Sequence, residues 1–237
     1  MSKVNAIALR ELKNYFVSPL AYVVAALFMA GVGFLFYAIL LSTREASLRA
    51  LFQNMAVVFL LLVPSLTMRL LAEERKMGTI ELLMTSPLTD AAIVWGKFLA
   101  SVIYLAFLFL LTGIFPLAII MVGGKPEIAP LLTGYLAIFL MGASFMAIGL
   151  LASSLTSNQI VAALIAFTVS LIIWLLPAIG SVFGSPVSEG FQYMSIIQHL
   201  ENMARGVLDS SDLLYYFSLI GACIFLTVRS VNVYHWR

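Results

Sequence analysis

An all-α integral membrane protein with six transmembrane helices is the fold class that the sequence predicts, and three observations predict it. Hydrophobic residues make up 62% of the chain and charged residues 10%, with a mean hydropathy of +1.07. Soluble domains average about 45–50% apolar and about 25% charged, so an ordinary water-soluble globule is excluded. The charges fall in short clusters between long uncharged runs, the pattern of a chain whose solvent is lipid. Six runs reach or approach the ~20 apolar residues that a spanning helix needs. They lie at 20–41, 52–71, 98–121, 131–153, 160–183 and 213–229, within a single membrane domain covering 1–237.

The elements follow in chain order. Before the first span, Val4, Ala8, Leu12 and Phe16 recur every four residues while Lys3, Arg10 and Lys13 take the other faces. That spacing predicts a helix over 3–18 lying in the headgroup region, and Ser18-Pro19 then turns the chain inward. The first apolar run, roughly 22 residues, exceeds the h-region of a cleaved leader and no A-x-A-like site follows it, so it is read as a span. Between the second and third spans, 72–90 carries Glu73, Glu74, Arg75, Lys76 and Glu81 interleaved with Met77, Ile80, Leu83 and Met84. Gly78-Thr79 breaks or restarts a helix there, and Ser86-Pro87 ends it. A third helix running from Thr89 or Asp90 to Met121 would be about 45 Å long and would protrude beyond the bilayer. In the 184–212 loop, Ser195-Ile196-Ile197-Gln198 has capping-box spacing, Ile196, Leu200, Met203 and Val207 form a stripe, and Gly206 offers a stop. The expectation is a short external helix, Ser195–Arg205, lying at or dipping into the surface.

Basic residues on short flanks stay cytoplasmic. Lys3, Arg10, Lys13, Arg69, Arg75, Lys76, Lys97, Arg229 and Arg237 fall on one side, and Arg44, Arg49, Lys125 and Arg205 on the other. Nine against four places both termini in the cytoplasm of a multi-pass protein. The largest cytoplasmic loop is then 69–97 and the largest external one 184–212.

Several chemistries are excluded or disfavoured. Both histidines, His199 and His235, lie outside the spans, so no intramembrane serine–histidine dyad can form around Ser144 or Ser170. The span interiors hold no ionisable Asp, Glu, Lys, Arg or His, which argues against a carboxylate-coupled ion carrier; a sodium site of carbonyls and hydroxyls stays open. The Gly-Lys pairs at Gly96-Lys97 and Gly124-Lys125 have Ala91 and Ile119 where a phosphate loop needs its first glycine, and neither Lys is followed by Ser or Thr. The chain is thus expected to hydrolyse no ATP alone. The single cysteine, Cys223, supports no disulfide within the chain and no metal cluster, and no basic block suggests nucleic acid. Neither a catalytic residue nor a cofactor is expected.

The run Met68-Arg69-Leu70-Leu71-Ala72-Glu73-Glu74-Arg75-Lys76-Met77-Gly78-Thr79-Ile80-Glu81-Leu82-Leu83, continued by Met84-Thr85-Ser86-Pro87-Leu88-Thr89 and Gly96-Lys97, resembles the signature of ABC-2 type transporter permeases. The segments Arg10-Glu11-Leu12-Lys13-Asn14-Tyr15-Phe16, Ser18-Pro19-Leu20-Ala21-Tyr22 and Arg205-Gly206-Val207-Leu208-Asp209 look like the gliding-motility-like branch of that family. The external region lacks the large inserted domain of other branches.

The resemblance implies that the N-terminal helix is an elbow helix and that Glu73–Pro87 is a cytoplasmic coupling helix seated in a separate ABC ATPase subunit. Glu73, Glu74, Arg75, Gly78, Thr79, Glu81 and Leu83 would form that interface. It further implies a second permease subunit, identical or not, with a substrate path between the two lined by the first, second and fifth spans. The expected function is therefore the permease of an ATP-driven exporter in the plasma (inner) membrane, its substrate unidentified. The rival is a mechanical membrane subunit in which the external helix transmits ATP-driven motion to an extracytoplasmic partner. An unrelated secondary carrier ranks third.

Overall fold

The computed structural model describes residues 3–43, 48–78, 89–182 and 185–235, and every regular element among them is an α-helix. The chain opens with α1 (Lys3–Val17) and α2 (Pro19–Thr43), separated by Ser18 alone. Pro19 takes the first helical position, where its missing N–H costs no intrahelical bond. Then follow α3 (Arg49–Thr67), a turn, and the short α4 (Ala72–Lys76). The remaining helices are α5 (Asp90–Thr112), α6 (Ile114–Met121), α7 (Ile128–Leu155), α8 (Gln159–Gly180), α9 (Ser185–Tyr193), α10 (Ile196–Ala204) and α11 (Ser210–His235). Among the described residues six stretches are long and apolar enough to cross a membrane: Pro19–Ser42, Arg49–Lys76, Asp90–Met121, Ile128–Leu155, Gln159–Gly180 and Ser210–Val233.

The helices outrun the hydropathy signal. The third apolar run begins at 98, but its helix starts at Asp90, where the sequence reading of Thr89 or Asp90 puts it, and Thr89 accepts the Ala92 N–H at 3.3 Å as its N-cap. The helix expected to close at 229 runs on to His235. The stretch Asp90–Met121 is also not one uninterrupted helix. Pro116 has no N–H for the carbonyl of Thr112, the helix breaks at Gly113, and the Thr112 carbonyl instead accepts the Tyr135 hydroxyl at 3.0 Å.

The centre of the bundle is α7, with 83% of its apolar window buried, against 17% for α2 and for α8. Small residues permit this. A Cβ on Gly134 would run into the Phe52 ring of α3, and one on Gly149 into Thr67. With little hydrophobic drive between helices in lipid, such close approach is what holds spans together.

The two ends of the bundle differ. At one, the Ser230 hydroxyl of α11 donates to the Ser154 carbonyl at 3.1 Å, and Asn232 donates to Asp90 at 3.1 Å. With α1 packed along α5, the start of α1 and the end of α11 lie at the same end as α4. At the other end, α10 is seated inward. Ile196, Leu200 and Met203 are fully buried, while Val207, expected on the same stripe, lies beyond the helix and is exposed. Gly206, at φ +90°, makes the turn that stops the helix. The Ser195 hydroxyl accepts the Ile197 N–H at 3.3 Å rather than the Gln198 N–H of a full capping box. The preceding helix α9 had no counterpart in the sequence reading.

Candidate functional site

The end of the bundle that carries α4 is assembled from α1 upward. The buried Ile7, with Val4 beside it, packs on Ala92 and Ile93 of α5. Between them lies Gly96, where a Cβ would sit 2.7 Å from Ile7 Cβ and 3.2 Å from the Val4 carbonyl. Glycine here is a matter of space: any side chain would push α1 off α5. Further along, Tyr15 stacks on Tyr104 with centroids 5.1 Å apart, and the Phe16 ring meets Phe107 edge-on at 5.2 Å. The Tyr15 hydroxyl donates to the Leu66 carbonyl of α3 at 3.3 Å and the Tyr104 hydroxyl to the Ala21 carbonyl of α2 at 2.6 Å.

The residue after Gly96 carries the charge. Lys97 is 2% exposed, and its Nζ donates to Glu11 Oε1 of α1 at 2.9 Å and to Glu74 Oε1 of α4 at 2.8 Å. An ammonium withdrawn from water needs such partners, and charge-assisted bonds of this length are among the stronger ones. Three elements distant in sequence thus meet on one cation. Ser153 of α7 adds a second tie. Its hydroxyl accepts the N–H groups of Leu71 and Ala72, both at 2.9 Å, and donates to the Met68 carbonyl at 3.2 Å. These contacts fix the turn between α3 and α4, whose N–H groups would otherwise lack partners.

The residues expected at a subunit interface divide accordingly. Glu74 turns inward to Lys97 rather than outward, because the cation beneath α4 is the nearer and drier partner. Glu73 and Arg75 are half-buried, and the Glu73 carbonyl accepts the Met77 N–H at 3.0 Å as α4 ends. Gly78, at φ +70°, follows in the left-handed conformation that commonly terminates a helix. Lys76, Met77 and Gly78 are exposed. Thr79, Glu81 and Leu83 lie outside the described residues, as does most of the expected coupling segment.

Glu11 and Lys97 were quoted as sequence features but not as site residues. The available signal was a lysine placed at the start of an apolar run, where its stem is buried and its head must find water or an anion. Among the described residues the arrangement sets no nucleophile or general base in a cleft. It offers a junction that ties α4 to α1 and α5 through Lys97 and to α7 through Ser153.

A family model described as ABC-2 family transporter protein matches residues 6–225 of the chain. No curated protein matches it.

Proposed function

The chain belongs to the ABC-2 family of transporter proteins, as the permease subunit of an ABC transporter, and from that membership we propose that it exports its substrate on energy from ATP hydrolysed by a separate subunit. The end of the bundle bearing α4 and both termini faces the cytoplasm of the plasma membrane, in keeping with the basic residues at 3, 10, 13, 69, 75, 76, 97, 229 and 237. A second permease pairs with this one. The large uncovered faces of α2 and α8, the first and fifth spans, support a path between the two subunits that these helices and α3 line. The segments at 10–22 and 205–209 favour the gliding-motility-like branch.

The observation that carries the reading is Lys97 held between Glu11 and Glu74. A lever must be stiff where it joins the load. Here the ATPase would grip the exposed Lys76–Gly78 end and the segment beyond it, Thr79, Glu81 and Leu83 included, while Glu74 anchors the root of the lever to the elbow helix and the third span. Glu74 then acts as a positioning residue within the permease, and Glu73 and Arg75 stand beside the grip.

A photo-crosslinking residue at Met77, in the complex purified from its own cells, tests this. An ATP-binding subunit covalently captured at Met77, and not by the same probe at Leu136 on the membrane face of α7, is the expected outcome. Capture at neither position, or equally at both, would remove α4 from the interface.

A further inference from the structure

At the end of the bundle away from Lys97, a cleft of about 380 Å³ opens between the start of α3, the α6–α7 connection and the end of α10. Arg49, Lys125 and Arg205 line it, with Glu127 as its one described carboxylate. Only four basic residues fall on this side of the chain, the fourth being Arg44, so three of the four converge on one depression. Arg205 lies 3.9 Å from Glu201, long for a charge-assisted hydrogen bond, and Lys125 is exposed. Leu48, Phe52 and Leu131 supply an apolar wall.

The depth of the cleft selects its occupant. Arg49 opens the span Arg49–Lys76, Ile128 opens Ile128–Leu155, and Met121 closes Asp90–Met121, so the cations stand where three spans leave the apolar layer. The chain beside the cleft keeps Met121, Val122, Ile128 and Leu132 exposed, as suits a rim bathed by acyl chains rather than water. Two helices also begin here. Glu127 is the N-cap residue of α7 and makes no side-chain capping bond, which leaves first-turn N–H groups suited to an anion.

We propose that this cleft binds the phosphate headgroup of a membrane amphiphile, with Lys125, Arg205 and Arg49 around the phosphate and the apolar chain lying over Leu131 and the exposed Ile128 and Leu132. Glu127 opposes a purely anionic headgroup and favours one that also carries an ammonium. The proposal rests on the membrane reading of the bundle but not on the ATPase assignment, so its test omits nucleotide.

The test is native mass spectrometry of the detergent-purified protein with four probes: phosphatidylethanolamine, phosphatidylglycerol, diacylglycerol and inorganic phosphate. Retention of phosphatidylethanolamine over diacylglycerol is expected. That retention should fall about tenfold in Lys125→Glu/Arg205→Glu, where attractive contacts become repulsive, and by a smaller factor in the milder Lys125→Gln. Glu127→Gln should shift preference toward phosphatidylglycerol. A melting temperature measured for each variant separates lost binding from lost fold. Equal retention of diacylglycerol, or undiminished binding by a folded double variant, would overturn the proposal. Protection of Lys125 from acylation by inorganic phosphate alone, with no lipid retained, would overturn the amphiphile and leave a soluble anion.

Discussion

Lys97 is the residue on which the junction of α1, α4 and α5 depends, and its energetics can be separated from those of an ordinary surface pair. Exposed ion pairs are worth about 0.2–1 kcal/mol, whereas removing one partner of a buried pair costs about 3–5 kcal/mol. Lys97 is 2% exposed and its carboxylates 16% and 19%, which places the triad near the buried limit on the lysine side only. A double-mutant cycle of Lys97→Met and Glu74→Gln, read by thermal unfolding in detergent, should therefore give a coupling of at least about 1 kcal/mol. A coupling below about 0.3 kcal/mol would show that the junction bears no strain. Glu74→Gln keeps an oxygen acceptor for Lys97, so assembly with the ATPase should survive it while hydrolysis outpaces transport. Gly96→Leu acts through space alone. It should lift α1 from α5 and make the N-terminal 17 residues cleavable by protease in the folded protein; an unchanged digest would mean that α1 does not need the Gly96 contact.

Among the elements, α10 shows how an interfacial helix is locked inward. The His199 ring stacks on Tyr215 at 4.1 Å, its Nδ1 lies 2.6 Å from Asp212 Oδ1, and its Nε2 lies 2.9 Å from the Tyr193 carbonyl. A carbonyl only accepts, so this contact suits the tautomer with its hydrogen on Nε2. Tyr215 and Tyr216 of α11 donate to the carbonyls of Met194 and Ile196 at 2.6 and 3.1 Å, fastening α9, α10 and α11 together. Asp212 is 1% exposed and its Oδ2 has no hydrogen-bond partner among the described residues. His199→Phe would strand the whole carboxylate and should cost about 3 kcal/mol or more. The double variant His199→Phe/Asp212→Leu should be the more stable of the two, since replacing both partners removes the stranded charge. If the double variant melts below the single one, the pair stabilises the turn by more than mutual satisfaction.

The same element marks what the sequence could reveal. The stripe of Ile196, Leu200 and Met203 and the Ser195 cap were legible because they are local and periodic. The His199–Asp212 contact was not, because it joins residues 13 apart through a turn whose path no periodicity encodes. Helix α9 went unseen for a related reason: it is nine residues long, too short for its period to stand out from a loop. Lys97, Glu11 and Glu74 were each visible as charges, but their meeting on one atom is a property of packing. The start of α5 at Asp90 was legible from the Thr89 cap position, whereas the run of α11 past 229 to His235 was not, because hydropathy stops at the edge of the apolar layer while hydrogen-bonded helix continues past it.

At the scale of the whole molecule, burial runs from a filled centre in α7 to bare faces on α2 and α8. Residues such as Leu27, Phe34 and Leu41 on α2, with Ile160 and Leu164 on α8, stand exposed, and in water they would make an apolar patch beyond what a monomer tolerates. Lipid or a second permease must cover them. The direction proposed for the bundle in the membrane rests on charge alone, since the fold is indifferent to which end faces the cytoplasm while retained Lys and Arg are not. Met77 at 63% exposure and Ser188 on α9 stand at opposite ends of the bundle. Cys223 is 6% exposed within α11 and can be replaced by alanine to give a silent background. In intact cells a membrane-impermeant maleimide should then label Ser188→Cys and spare Met77→Cys, and permeabilisation should reveal the second. Labelling of Met77→Cys from outside would invert the bundle. It would place the Lys97 junction beyond reach of any cytoplasmic ATPase and overturn the coupling proposal, while leaving the headgroup cleft to be tested on the opposite leaflet.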